Sequence, residues 1–109
     1  MEYKTLNISE SDRKLLEDIQ NGEPSSIMKG LVHPGAFYRV NSILCACRFK
    51  VTDPPLKIYL DRLKTDDLVL NGYKVSEFAI AALDILGLET YAGGDPRIRA
   101  LIKSKFEFD

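Results

Sequence analysis

The sequence has no tryptophan, one histidine, two cysteines and two methionines in 109 residues. These shortages remove whole classes of chemistry. The single histidine, His33, has no partner at readable spacing with which to build a metal set or a nucleophile–base relay, and its place in His33-Pro34-Gly35 makes it a solvated turn residue. An excess of one charge is also missing: 15 Lys and Arg oppose 16 Asp and Glu, for a net charge of −1. No global field draws in nucleic acid or an anionic membrane, so nucleic acid ranks low as a partner. Long hydrophobic runs are absent as well. Nothing approaches the roughly 18 apolar residues of a membrane span, and the opening MEYKTLNISESDRK lacks the apolar stretch of a signal peptide. The expectation is a cytoplasmic protein with no membrane partner.

What is present suffices for one domain over 1–109: 45% of the residues are hydrophobic and 28% charged, the balance of a chain that buries a core. Apolar residues recur at spacings of three and four, the period of helices, and no strand is expected. Ser9, with Asp12 three residues on, caps a first helix to Gln20 that Asn21-Gly22 stops, a capping helix over 9–21 behind an N-terminal extension of residues 1–8. Pro24 opens a second helix through Leu31. A third, Ala36 to Lys50, sets Phe37, Val40, Leu44 and Cys47 on its inner face with Ile43 beside them. Asp53 caps a fourth, with Pro54 in its first turn and Leu56, Tyr59, Leu60 and Leu63 inward. After a loose stretch from Thr65 to Gly72, a fifth helix places Val75, Phe78, Ala79, Ala82, Leu83 and Leu86 on one face. Ile80 and Ile85 lie off that face, which predicts packing on two sides and a central position. Gly87 ends it, Gly93-Gly94 falls in the loop that follows, Asp95-Pro96 opens a last helix toward Phe106, and residues 107–109 fray. Cys45 and Cys47, two apart on a helix that turns about 100° per residue, point apart and serve as small core hydrophobes.

Two alignments suggest an internal repeat. YRVNSILCACR, from Tyr38, is echoed 38 residues on by SEFAIAALDIL, from Ser76, and DPPLKIYLDRLK, from Asp53, by DPRIRALIKSKF, 42 residues on from Asp95. A period near 40 made of helix, turn and helix is that of helical solenoids. The turn Asn71-Gly72 with Val75, Ala79, Ala82, Leu83 and Gly87, and the earlier Pro34-Gly35 with Arg39, Val40 and Leu44, resemble the second helices of HEAT-type repeats in the armadillo-like superfamily. Ser42 and Cys47 stand where alanine is usual. The resemblance implies an all-α fold, a short right-handed α-α superhelix of about six helices, with hairpins at 24–51 and 53–87 and a terminal half-repeat at 95–106. A six-helix bundle of other topology is the alternative.

No G-x-x-x-x-G-K-[ST], G-x-G-x-x-G or G-x-S-x-G fingerprint occurs, no cofactor or metal is implied, and a non-catalytic chain is expected. An enzyme such as a base-excision protein of helical-repeat type needs an acidic and aromatic pocket that a chain this short, without tryptophan, hardly encloses. Glu77 and Asp84 lie two turns apart on the fifth helix, too far to share a proton, and form with Asp61, Asp66 and Asp67 a candidate acidic contact surface. Tyr38 and Tyr73 fall near the starts of the two aligned helices, at one end of the repeat, and are candidate interface anchors beside Tyr59 and Tyr91. These seven residues, Tyr38, Asp61, Asp66, Asp67, Tyr73, Glu77 and Asp84, are the expected partner-binding set. In size and style the chain is similar to bacterial immunity proteins, and that resemblance implies a protein partner: a cognate toxin, often a nuclease, whose basic active site the acidic group covers. Against this stands nucleic-acid binding through Arg97, Arg99, Lys103 and Lys105 of the last helix, a stripe without interleaved aromatics to stack bases.

Overall fold

Among the described residues six helices form where the punctuation places them. In the computed structural model, which describes residues 9–90, 93 and 95–106, they are α1 (Glu10–Gln20), α2 (Pro24–Leu31), α3 (Ala36–Arg48), α4 (Pro55–Leu63), α5 (Val75–Ile85) and α6 (Pro96–Lys105). The expected N-terminal extension, Tyr91 and the frayed tail lie outside the described residues. Ser9 caps α1 by accepting from the Asp12 N–H, and Asp95 caps α6 by accepting from the Arg97 N–H, each satisfying one of the donors a helix start leaves open. The fourth helix departs from this rule. Asp53 makes no side-chain cap; Pro54 occupies the cap position, Pro55 the first turn, and only the Asp53 carbonyl is used, by the Leu56 N–H.

The stretch between α4 and α5 is more ordered than its composition suggests. Val69–Leu70 (β1) and Tyr73–Lys74 (β2) pair antiparallel, with Leu70 opposite Tyr73. Asn71 and Gly72, at φ 55° and 86°, form the two-residue turn whose twist suits such a ribbon. The strands escape sequence reading because at two residues each they are too short to show any alternation.

Helix α2 packs on α3, α4 on α5, and the two inner helices α3 and α5 pack on each other, while α1 lies across α2 and α3 and α6 closes the far side of α5. Their shared core runs from Ile19, Ile27 and Leu31 through Val40, Ile43, Leu56 and Leu60 to Phe78, Ala82, Leu83, Ile98 and Leu101. Helix α5 is central, packing on α3, α4 and α6, but of the two off-face isoleucines expected to drive this Ile80 is half-buried and Ile85 stays exposed. Helix α3 meets α2 so closely at Gly30 that a Cβ there would stand 1.8 Å from Ser42 Oγ.

The inner face of α3 is rotated from the expected stripe. Val40, Ile43 and Cys47 are buried, but Phe37 faces out and Leu44 is half-buried, while Tyr38, Arg39, Ser42 and Ala46 go inside. The reason is the four-residue connection Val32 to Gly35, whose His33 and Pro34 lie over the 38–39 side of the first helical turn, the His33 ring against Tyr38 and both carbonyls bonded to Arg39.

Candidate functional site

Both hairpins turn at the same end of the domain, and two arginines fix the chain there. Arg39, buried in the first turn of α3, donates from Nη1 to the carbonyls of His33 and Pro34 at 2.7 and 2.8 Å and from Nε to Asp66 Oδ2 at 2.8 Å. Asp66 in turn accepts the Leu68 N–H on Oδ1 and the Ser76 N–H on its own carbonyl. One guanidinium thus ties the α2–α3 turn to the loop that leads into the hairpin. Arg97, at the start of α6, grips Glu77 with two bonds of 2.7 and 2.9 Å, donates to the Gly72 carbonyl and lies 5.1 Å over the Tyr73 ring. Glu77 also accepts the Lys74 N–H at 2.8 Å, closing the start of α5.

The same end is anchored on its other side by His33. Its Nδ1 accepts from the Gly35 N–H, which leaves Nε2 as the protonated nitrogen, donating to Asp12 at 3.1 Å, and its ring lies 4.1 Å from that of Tyr38. The solvated turn residue expected from the sequence is instead a half-buried link between α1 and α3. Burial, and then the nearby Asp12, push the Tyr38 phenol above its ordinary pKa.

At this end four large apolar side chains face solvent: Val32 in the α2–α3 turn, Phe37 in the first turn of α3, Leu68 just ahead of the β-hairpin and Val69 in its first strand, with Val69 61% exposed. Helix α3, which carries Phe37, packs directly on β1, which carries Val69. Exposed apolar residues scattered singly need no explanation; four gathered at one end of a small domain, on fixed backbone, have the character of an interaction surface.

The structure brings five of the seven expected site residues to this end and sorts them by use. Tyr38 is buried under His33. Tyr73 lies half-buried beneath Arg97 and edge-on to Phe78. Asp66 and Glu77, with side chains only 17% and 12% exposed, are spent on arginines and backbone N–H groups. Arg97 holds the Glu77 carboxyl below its ordinary range. Asp67 stands out at 84% exposed, its contact with Lys74 stretched to 4.0 Å. Asp61 lies on α4 between Lys57 at 2.9 Å and Lys64 at 3.4 Å, an ion chain that Lys64 extends to Glu89. The Lys57 ammonium keeps the Asp61 carboxyl below its usual range. Asp84 is half-buried in the second half of α5 and does not join Glu77.

Sequence reasoning missed Val32, Phe37, Leu68 and Val69 as surface residues and Arg39 as their organiser. An arginine in the first turn of a helix otherwise read as apolar was the available signal.

Other features are weaker. An open cleft of about 400 Å³ lies between α1 and the second half of α3, lined by Gln20, Asn41, Leu44, Cys45, Arg48 and Phe49. Cys45 and Cys47 are free thiols; burial pushes Cys45 up and Cys47 up to about 12. Of the basic stripe on α6, Arg97 is committed internally, while Arg99, Lys103 and Lys105 are exposed. Among the described residues no three His, Cys, Asp or Glu side chains converge as a metal site, and no helix is long and apolar enough to cross a membrane. Compared with known proteins, the chain matches no family model, no curated protein and no solved structure.

Proposed function

We propose that this chain is a non-catalytic protein-binding module, a short HEAT-like superhelix of helical hairpins, that binds and blocks a cognate bacterial toxin of the nuclease type. One observation carries the binding half of the reading: Val32, Phe37, Leu68 and Val69 face solvent in and beside the two connections that Arg39 and Asp66 tie together. A surface ordered before it meets its partner avoids the entropy cost of ordering on binding. The pairing of α2 with α3 and α4 with α5, and of the inner helices with each other, supports a hairpin-repeat scaffold. The toxin as partner rests on the likeness in size and style to immunity proteins.

The test is co-expression with a toxin-like reading frame adjacent to the gene. The reading expects protection of the host cell and a stoichiometric complex on gel filtration. Absence of both, with the protein folded, removes the toxin as partner. A second reading, nucleic-acid binding through Arg99, Lys103 and Lys105, is favoured by their exposure on the outer side of α6. It requires affinity for a DNA or RNA oligonucleotide that falls steeply as salt rises from 50 to 200 mM.

A further inference from the structure

His33 is engaged at both ring nitrogens, and only its neutral form fits. Nε2 donates to Asp12 Oδ1 at 3.1 Å, while Nδ1 accepts the Gly35 N–H at 2.9 Å across Pro34. A side-chain acceptor bonded to the N–H two residues on is what asparagine supplies in an Asx-turn, and asparagine does so without regard to pH. Here the acceptor is a histidine nitrogen, which becomes a donor once the ring takes up a proton. The Gly35 N–H then faces another N–H.

What depends on that bond is the start of α3. Gly35 caps the helix through its carbonyl, which accepts the Tyr38 and Arg39 N–H groups at 3.0 and 3.2 Å, and no side chain assists it. Val32 and Phe37, half of the exposed apolar set, flank this turn. The charged and titratable groups around the ring all favour its leaving the turn rather than α1. Asp12 on α1 attracts a protonated ring. Arg39 on α3, bonded to the His33 carbonyl and backed by Asp66, places positive charge on the turn side. Tyr38, whose phenol burial pushes up, stays neutral through the histidine range. Lys29, the sole charged residue of α2, lines with Asp12 the open cleft between α1 and α2.

We propose that His33 is a pH-sensitive latch: on protonation it keeps its bond to α1, releases the Gly35 N–H and loosens the α2–α3 turn that carries Val32 and Phe37. As a regulator of the contact it rests on the protein-binding reading above, and a partner that grips the ordered turn then binds more weakly in acid. The latch itself needs no partner.

NMR of the uniformly ¹⁵N-labelled full chain tests it over about pH 8 to pH 5, the range in which a histidine changes charge. A scalar coupling between the Gly35 nitrogen and His33 Nδ1, carried by the hydrogen bond, should be present at the upper end and vanish as the ring titrates. In the same step the hydrogen exchange of the Gly35 amide, corrected for its intrinsic pH dependence, should speed up about two- to ten-fold, as the loss of one ordinary hydrogen bond allows. His33→Asn keeps an acceptor for the Gly35 N–H and has no ring to titrate, so the step should disappear. Asp12→Asn, which keeps an acceptor for Nε2 but removes the charge, should move the step to lower pH.

A Gly35 amide that stays coupled and protected while the ring titrates would overturn the proposal, as would the same step in His33→Asn or a ring that takes up no proton down to the acid end. The two readings fail separately. A latch that opens in a chain with no cognate toxin removes only the partner, and a toxin complex formed by a chain whose Gly35 amide ignores His33 removes only the latch.

Discussion

Ser42 is a buried polar residue with no partner: its hydroxyl faces the α2 backbone at Gly30 and makes no hydrogen bond. A hydroxyl buried unsatisfied costs about 1–3 kcal/mol, so Ser42→Ala should leave stability unchanged or raise it by about 1 kcal/mol in urea unfolding. Gly30→Ala should do the opposite and cost more than about 2 kcal/mol, because the new methyl has Ser42 Oγ and Ile19 Cδ1 inside contact distance. Lys50 makes a comparable case in the backbone. It ends α3 at φ 53°, with the Val51 N–H reaching back to the Ala46 carbonyl at 2.9 Å, and it is exposed. Lys50→Gly relieves the left-handed strain and should add about 1 kcal/mol. Single residues of this kind divide cleanly by legibility. Ser9, Pro24 and Asp95 act on the next three residues of chain and were readable. The burial of Ser42 and the role of His33 depend on what another helix brings, and no local pattern records that.

Arg39 and Asp66 join elements 27 residues apart and decide whether the two turns form one surface. Arg39→Met leaves the Asp66 carboxylate and the His33 and Pro34 carbonyls without their donor and should cost about 3–5 kcal/mol, read by thermal unfolding. Arg39→Lys should recover little, since an ammonium cannot reproduce three bonds aimed by a planar fork. The Glu77–Arg97 clamp between α5 and α6 has a pH signature. The Arg97 guanidinium, against the opposing effect of burial, holds the Glu77 carboxyl below its ordinary 4.5 in the folded state. Folding therefore favours the ionised form: the stabilisation is complete above pH 4.5 and is lost as pH falls through the lowered value. Glu77→Gln should be less stable at pH 7 and should flatten the acid limb of the stability profile. Helix existence and order were legible because each helix carries its own period and stops. The hairpin was not, since a two-residue strand has no period, and the Asn71-Gly72 turn reads alone only as a break.

In the molecule as a whole, the sequence offset of 38 between the inner helices has a structural origin. Their N-caps, Gly35 and Lys74, stand 39 apart (74 − 35 = 39), while Lys50 and Gly87, which end them in the same left-handed cap, stand 37 apart (87 − 50 = 37). At 13 and 11 residues the two helices cannot share one register along their length, and 38 is the average over both ends. The aligned positions Tyr38 and Ser76 both lie inside the fold, while Val32, Phe37, Leu68 and Val69 fall outside both aligned pairs of segments. Fold class was legible because periodicity reports burial. The surface was not, because exposed apolar residues carry no periodic mark of their own.

The decisive measurement takes the complex that the proposed function expects on co-expression and compares it with the double variant Phe37→Asp, Val69→Asp, with circular dichroism and the melting temperature recorded alongside. Both side chains already face water, so the fold should persist while affinity falls at least about 100-fold, the loss of two hot-spot contacts. An undiminished complex with the folded double variant would show that the partner binds elsewhere and that the end built around Arg39 and Asp66 is not the docking surface.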